Sequence, residues 1–315
     1  MKHVIEVDHL VKRYKKAGAN AVDDISFSVE EGEFFALLGP NGAGKTTTIQ
    51  ILISLLSKTT GTVTIAGYDI DKEPAQVRRS IGVIFQQPSL DLNLTAEENI
   101  RFHAILYGLY PYRPLFSMMP QIYKNKVQEL AKILGVEKDL FKPIKTLSGG
   151  MKRKLEIVRS LLHSPKVLFL DEPTSGLDPL SRRNLWQYLT KVRKTQHTTI
   201  FLTTHYLEEA EEADRVCIIN NGKIVSFGTP EKIKNELIEE FVLLDAKDRK
   251  KLVGEIKKLK YKYEEDEYIK VYIEKHTAQD IIKSIQTPLS RLDVHAPTLE
   301  EAYLEIVEPP QKKDL

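Results

Sequence analysis

Apolar and polar positions fall into two textures along the chain, and the change comes near Pro230. Before it, Val4, Ile5 and Val7, then Ile25, Phe27 and Val29, follow the two-residue period of half-buried strands. Phe34-Phe35-Ala36-Leu37-Leu38 and Val167-Leu168-Phe169-Leu170 are unbroken apolar runs, as in strands buried on both faces. Residues 61–65 and 81–85 read as further strands, and Lys45 to Leu56 as a helix after a Gly-rich turn. From Pro88 to Leu162 the spacing is mostly helical, over 96–108, 122–134 and 149–162. Strand and helix alternate again over 167–171, 180–194, 198–203 and 205–213. This order predicts an α/β core, residues 1–230, interrupted by a helical subdomain at about 88–162.

Beyond Pro230 the chain is rich in Lys and Glu. Leu252, Ile256 and Leu259 mark one helix face, while Ile269, Val271 and Ile273 alternate with Tyr268, Lys270 and Tyr272 as in a half-buried strand. The predicted order over 231–315 is β-α-β-β-α-β and then a helix from Leu299 to Val307. That order suggests a small α+β domain of the split βαβ type; helices appended to the core are the alternative.

Composition narrows the class. The chain has 315 residues, 42% hydrophobic and 29% charged, as a folded protein does. Its 46 basic and 44 acidic side chains give a net charge of +2, which calls for neither nucleic acid nor an anionic lipid surface. The single cysteine, Cys217, excludes an internal disulfide framework and fits a reducing cytoplasm. Charges interrupt the first residues, so they do not read as a signal peptide. No apolar run approaches the roughly 20 residues of a spanning helix, so any action at a membrane needs a partner that supplies the span. A metalloenzyme is disfavoured, since no Cys/His cluster has ligand spacing; Glu208, Glu209, Glu211 and Glu212 read as a solvated helix face.

Gly39-Pro40-Asn41-Gly42-Ala43-Gly44-Lys45-Thr46 fits G-x-x-x-x-G-K-[ST] and sits between a strand and a helix. Glycines there let backbone N–H groups wrap phosphate oxygens, and the helix N-terminus adds partial positive charge. Lys45 is placed to reach the β and γ phosphates of a nucleotide, Thr46 to hold Mg²⁺, and Thr47 to bond a further phosphate. The strand Val167–Leu170 ends in Asp171 and Glu172, carboxylates of the kind that serve the metal in P-loop folds.

With these motifs in place, Leu147-Ser148-Gly149-Gly150-Met151, just before a helix, resembles the signature of the ATP-binding subunits of ATP-binding-cassette (ABC) transporters. Alone, a Ser-Gly-Gly turn reads equally as a helix cap. The resemblance covers roughly residues 3–230. It implies a P-loop NTPase fold with a RecA-like core, an antiparallel β subdomain and a helical signature subdomain, and ATP with Mg²⁺ as ligands. By resemblance, Tyr14 matches the aromatic that stacks on adenine; a surface strand tyrosine is the alternative. Gln86 matches the glutamine that touches Mg²⁺ and the attacking water, with Gln87 adjacent. Asp171 matches the metal-holding acid, Glu172 the general base, and His205 the switch histidine that contacts the γ-phosphate. Ser175-Gly176-Leu177-Asp178 matches the D-loop, with Asp178 at a subunit interface.

In the family, Ser148, Gly149 and Gly150 face the nucleotide held by the other subunit. The resemblance therefore implies a pair of ATP-binding subunits, identical or paralogous, sandwiching two ATP molecules. It also implies a separate transmembrane permease and a place on the cytoplasmic face of the cell membrane. Met151 in place of the usual glutamine, and Thr298-Leu299-Glu300-Glu301-Ala302-Tyr303-Leu304, are similar to the exporter-type branch, the ABC-2 kind that includes multidrug and daunorubicin-resistance systems. Tyr110–Pro120 departs from the family as a Pro-broken loop with aromatics and methionines, suited either to the permease or to its own subdomain. A soluble ABC ATPase of translation or DNA repair is the rival reading; such proteins carry two cassettes or a long coiled coil.

Overall fold

The computed structural model describes residues 2–15, 17–85, 89–175, 177–273 and 277–307. In chain order the first elements are β1 (His3–Lys12), β2 (Val22–Glu30), β3 (Phe34–Leu38), α1 (Lys45–Leu52), β4 (Thr60–Ile65), β5 (Tyr68–Asp69), α2 (Pro74–Ser80) and β6 (Ile81–Ile84). Then come α3 (Ala96–Leu106), α4 (Gln121–Leu134), α5 (Gly149–Leu161), β7 (Val167–Asp171), α6 (Pro179–Gln196), β8 (Thr199–Thr204), α7 (Leu207–Glu211), β9 (Arg215–Asn220) and β10 (Lys223–Gly228). The last part holds α8 (Pro230–Leu237), β11 (Phe241–Ala246), α9 (Arg249–Lys258), β12 (Tyr263–Glu265), β13 (Ile269–Tyr272), α10 (Ala278–Ser284), β14 (Leu289–His295) and α11 (Leu299–Val307). These elements form two compact units, residues 1–227 and 228–315.

In the first unit a six-stranded sheet runs β10-β9-β3-β8-β7-β6, with β9, β3, β8, β7 and β6 paired in parallel. The continuous apolar runs become its central strands: every residue of β3 and β8 is buried, and so are the first four of β7. Phe35, Phe169 and Phe201 interlock across these strands at centroid separations of 5.2 Å, and Phe27 of β2 stacks on Phe35 at 5.4 Å. A second, antiparallel sheet, β2-β1-β4-β5, shares that core through Ile5, Leu10, Ile25 and Val63. Polar groups inside β8 are satisfied rather than stranded. Thr199 Oγ1 accepts from Gly32 N (2.8 Å), Thr203 donates to Asp171 and Thr204 to Glu209.

The predicted helix 45–56 stops at Leu52. Ser54 takes a left-handed φ of 57°, and the Leu55 and Leu56 amides fold back onto the Gln50 carbonyl. The helical subdomain is α3, α4 and α5, and α3 begins with a capping box between Thr95 and Glu98. The 110–120 loop is anchored on this subdomain. Buried Arg101 donates to the Arg113 and Pro114 carbonyls (2.8 and 2.6 Å) and pairs with Glu97, which also accepts from Tyr123. Phe116 packs edge-on to Tyr123 and Phe141 and Met119 is buried, so these two side chains pack on their own subdomain. Tyr112, Leu115 and Met118 remain exposed. Among the described residues no helix is long and apolar enough to cross a membrane.

The second unit has the strand order β12-β13-β11-β14, with all neighbours antiparallel. Each helix crossover, β11-α9-β12 and β13-α10-β14, is split by a strand from the other, which is the split βαβ arrangement. Val242, Leu244, Ile269 and Val271 alternate inward onto Leu252, Ile256 and Ile281. Leu259 lies at the α9 C-cap and is exposed, so it does not extend the buried face. α11 lies against α8, an element before β11 that the strand pattern did not foresee.

Candidate functional site

The site begins at the end of β3, where the chain turns through Gly39–Gly44 into α1. Two glycines are dictated by space. A Cβ on Gly39 would sit 2.3 Å from the Ile219 carbonyl oxygen, and one on Gly44 would sit 2.5 Å from that of Ala21. Gly44 also has φ 110°, outside the ordinary range of L side chains. Lys45 folds back over this loop, donating to the Gly39 and Pro40 carbonyls at 2.6 and 3.1 Å. Burial lowers the Lys45 pKa below its ordinary value, opposed by the charges of Glu172 and Asp171. The ammonium is therefore held over the loop and partly desolvated, a setting that favours a polyanion.

Parallel pairing brings the other groups to the same edge. β8 runs beside β3 and β7 beside β8, so Asp171 and Thr203 are Cα partners, and Thr203 Oγ1 donates to Asp171 Oδ1 at 2.5 Å. Burial raises the Asp171 pKa, the Thr203 bond lowers it, and Glu172 raises it again. Glu172 follows with a left-handed φ of 46°, held by its amide on the Thr203 carbonyl (2.9 Å). His205 Nδ1 lies 3.2 Å from Glu172 Oε1, and the His205 ring packs on Tyr206 at 4.1 Å. A cavity of about 400 Å³ is lined by Pro40, Asn41, Gly42, Gly44, Lys45, Thr46, Thr47, Glu172, Ser175, His205, Tyr206 and Ala21.

Most candidates from the sequence thus meet in one place, including Gly39–Thr47, Asp171, Glu172 and His205. Tyr14 joins them at the rim, 43% exposed with its hydroxyl 3.4 Å from Thr47 Oγ1. Ser148, Gly149 and Gly150 are elsewhere: they do not line this cavity, and Ser148 and Gly149 are exposed. Ser148 does cap α5, accepting from Met151 N at 3.3 Å, so the cap reading of that turn holds alongside any other. Asp178 is exposed just before α6. Gln86 and Gln87 lie outside the described residues. Thr203 beside Asp171, and Ser175 and Tyr206 in the cavity wall, have no binding role in the motifs legible from sequence. Nothing local marks Thr203, because only the β7–β8 register places it beside Asp171.

The donors suit the expected ligands. Thr46 hydroxyl and the Asp171 and Glu172 carboxylates are oxygen donors of the kind Mg²⁺ takes together with phosphate oxygens and water. The glycine loop supplies backbone N–H groups and a tethered ammonium for a triphosphate.

Known proteins resemble this chain in sequence and in fold. The sequence profile of the ABC transporter family matches residues 22–175. The doxorubicin resistance ATP-binding protein DrrA of Mycobacterium tuberculosis is 39% identical over 249 residues, spanning 79% of this chain and 72% of DrrA. The linearmycin resistance ATP-binding protein LnrL of Bacillus subtilis is 38% identical, over 72% of this chain and 69% of LnrL. The probable multidrug ABC transporter ATP-binding protein YbhF of Escherichia coli is 36% identical over 73% of this chain, a match that spans 38% of YbhF. Among solved structures, an ATP-binding subunit of an ABC transporter superposes with a TM-score of 0.65 at 32% identity, covering 74% of this chain and 92% of that one. The cassette MJ0796, a dimer bound to ADP and Pi, gives 0.64 at 27% identity, covering 71% and 98%.

Proposed function

This chain belongs to the ABC transporter family of ATP-binding subunits, and on that premise we propose that it binds and hydrolyses MgATP to power export through a separate ABC-2 type permease. The observation that carries the reading is the convergence of the Lys45 loop, Glu172 and His205 on one cavity, with Asp171 next to Glu172 and its charge acting on Lys45. Phosphoryl transfer to water needs charge neutralisation and an oriented water more than covalent help. Lys45 leaves its two loop carbonyls for the β and γ phosphates. Thr46 and Asp171 hold Mg²⁺, which when bound neutralises charge on the same phosphates. Glu172 orients and deprotonates the attacking water, and His205, at its carboxylate, steadies the γ-phosphate. Tyr14 stacks on the adenine.

The working unit is a head-to-tail homodimer. The exposed Ser148 turn, remote from its own cavity, supports a role at the γ-phosphate held by the neighbour, with Asp178 at the shared interface. The exposed Tyr112, Leu115 and Met118 present the permease with an apolar patch at the membrane's cytoplasmic face. The names of DrrA and LnrL support an exported, drug-like cargo.

Glu172→Gln tests the reading. With ATP, the variant is expected to lose phosphate release and to elute as a dimer on a sizing column. A variant that binds nucleotide yet stays monomeric would remove the homodimer; one that hydrolyses ATP at the wild-type rate would remove Glu172 as the base.

A further inference from the structure

We infer that Arg153 is a positioning residue that ties the signature helix to the turn carrying Glu172, so that a subunit's own base is set by the turn it offers to its neighbour's nucleotide. The inference rests on the function proposed above and extends it to communication between the two sites.

Arg153 lies on α5 five residues after Ser148, and only 5% of it is exposed. Its guanidinium is shared among three segments. Nε donates to the Pro173 carbonyl at 2.8 Å, and Nη2 reaches the Glu172 carbonyl at 3.4 Å. Nη1 donates to the Phe85 carbonyl and to Glu156 Oε2, the latter at 3.0 Å. Glu156, fully buried one turn on, accepts from Ser89 N at 2.7 Å, and Arg159 donates to the Ser89 carbonyl at 2.9 Å. α5 therefore grips Phe85 and Ser89, the residues flanking 86–88, as well as the base's turn.

Two physical points turn this network into a link. A guanidinium projects its donors in a fixed plane, so a shift of α5 cannot preserve contacts to Phe85, Glu156 and Pro173 together. Glu172 has φ 46°, a strained setting for a non-glycine residue that persists only when its surroundings hold it. β8 holds it from one side through the Thr203 carbonyl, and Arg153 reaches its carbonyl from the other. Movement of Ser148 toward a neighbour's γ-phosphate is thereby felt at Glu172. A purely structural buried pair behaves differently, because an apolar pair of similar volume commonly replaces one without loss of stability.

The test uses the full chain with Arg153→Lys, which keeps the charge but not the fork, and with Arg153→Met/Glu156→Met, which removes the buried pair. Phosphate release is measured against ATP concentration, alongside ATP affinity and the thermal midpoint. Both variants are expected to keep ATP affinity within about twofold while kcat falls about tenfold or more. The Hill coefficient for ATP is expected to fall toward about 1, because each site no longer senses the other. Variants that retain wild-type kcat and cooperativity overturn the inference. So does a kcat that falls only in step with ATP affinity and midpoint, which marks a structural role. A wild-type chain that fails to hydrolyse ATP overturns the proposed function itself, and this inference with it.

Discussion

The two sheets that organise the two units use the same kinds of side chain to different ends. In the first unit, β3, β7 and β8 are parallel and buried on both faces, so their polar business is concentrated at their carboxyl ends. Lys45, Asp171, Glu172 and His205 all lie at that edge, where open α/β sheets place ligands. In the second unit, β11 and β13 alternate buried and half-buried residues, and β14 is exposed along most of its length. Antiparallel neighbours send successive strand ends to opposite edges, so polar side chains are spread over a face rather than gathered at one edge. Parallel pairing, with both faces covered, makes the first unit a place for chemistry and leaves the second a compact α+β body.

Perturbation should separate the two. Lys45→Ala is expected to lower turnover about 1,000-fold or more, about 4 kcal/mol, with the second unit's hydrogen-exchange protection unchanged. Retention of turnover within tenfold would remove Lys45 from the chemistry. Leu244→Ala, in the middle of the second sheet, should cost about 3 kcal/mol of protection at β11 amides while ATP affinity stays at wild type. A parallel loss at the β3 amides would mean that the two units unfold as one.

A third effect is smaller and depends on pH. Burial, with the charges of Arg159 and His163, lowers the His103 pKa from its ordinary 6.5 to about 3. Below pH 6.5 the unfolded chain therefore takes up a proton that the folded chain refuses. The neutral ring's contribution is complete above pH 6.5 and is lost as pH falls toward 3. His103→Phe keeps the stack on Tyr107 and should remove about 2 kcal/mol of the wild type's loss between pH 6.5 and 4.5. Identical pH profiles of denaturant midpoints for the two proteins would contradict this. Smallest of all, Leu292→Ala on the exposed strand β14 should change stability by less than about 0.5 kcal/mol. A larger loss would mean that the outer strand is covered in solution.

The sequence alone determined what is local. The Gly39–Thr46 turn, the strand ending in Asp171 and Glu172, and the β-α-β-β-α-β order after Pro230 follow from contiguous spacing, because turn chemistry and side-chain period act over a few residues. Tertiary structure decided what depends on pairing across distance. Parallel register set Thr203 against Asp171, and the turn beyond β8 set His205 against Glu172. It also decided that Arg153, one of several basic residues after the signature turn, points inward. Beyond Glu156 on its own helix, its partners are carbonyls at Phe85, Glu172 and Pro173, and a backbone carbonyl has the same chemistry in every residue. Only the packing of α5, against β6 among others, brings those oxygens to one guanidinium.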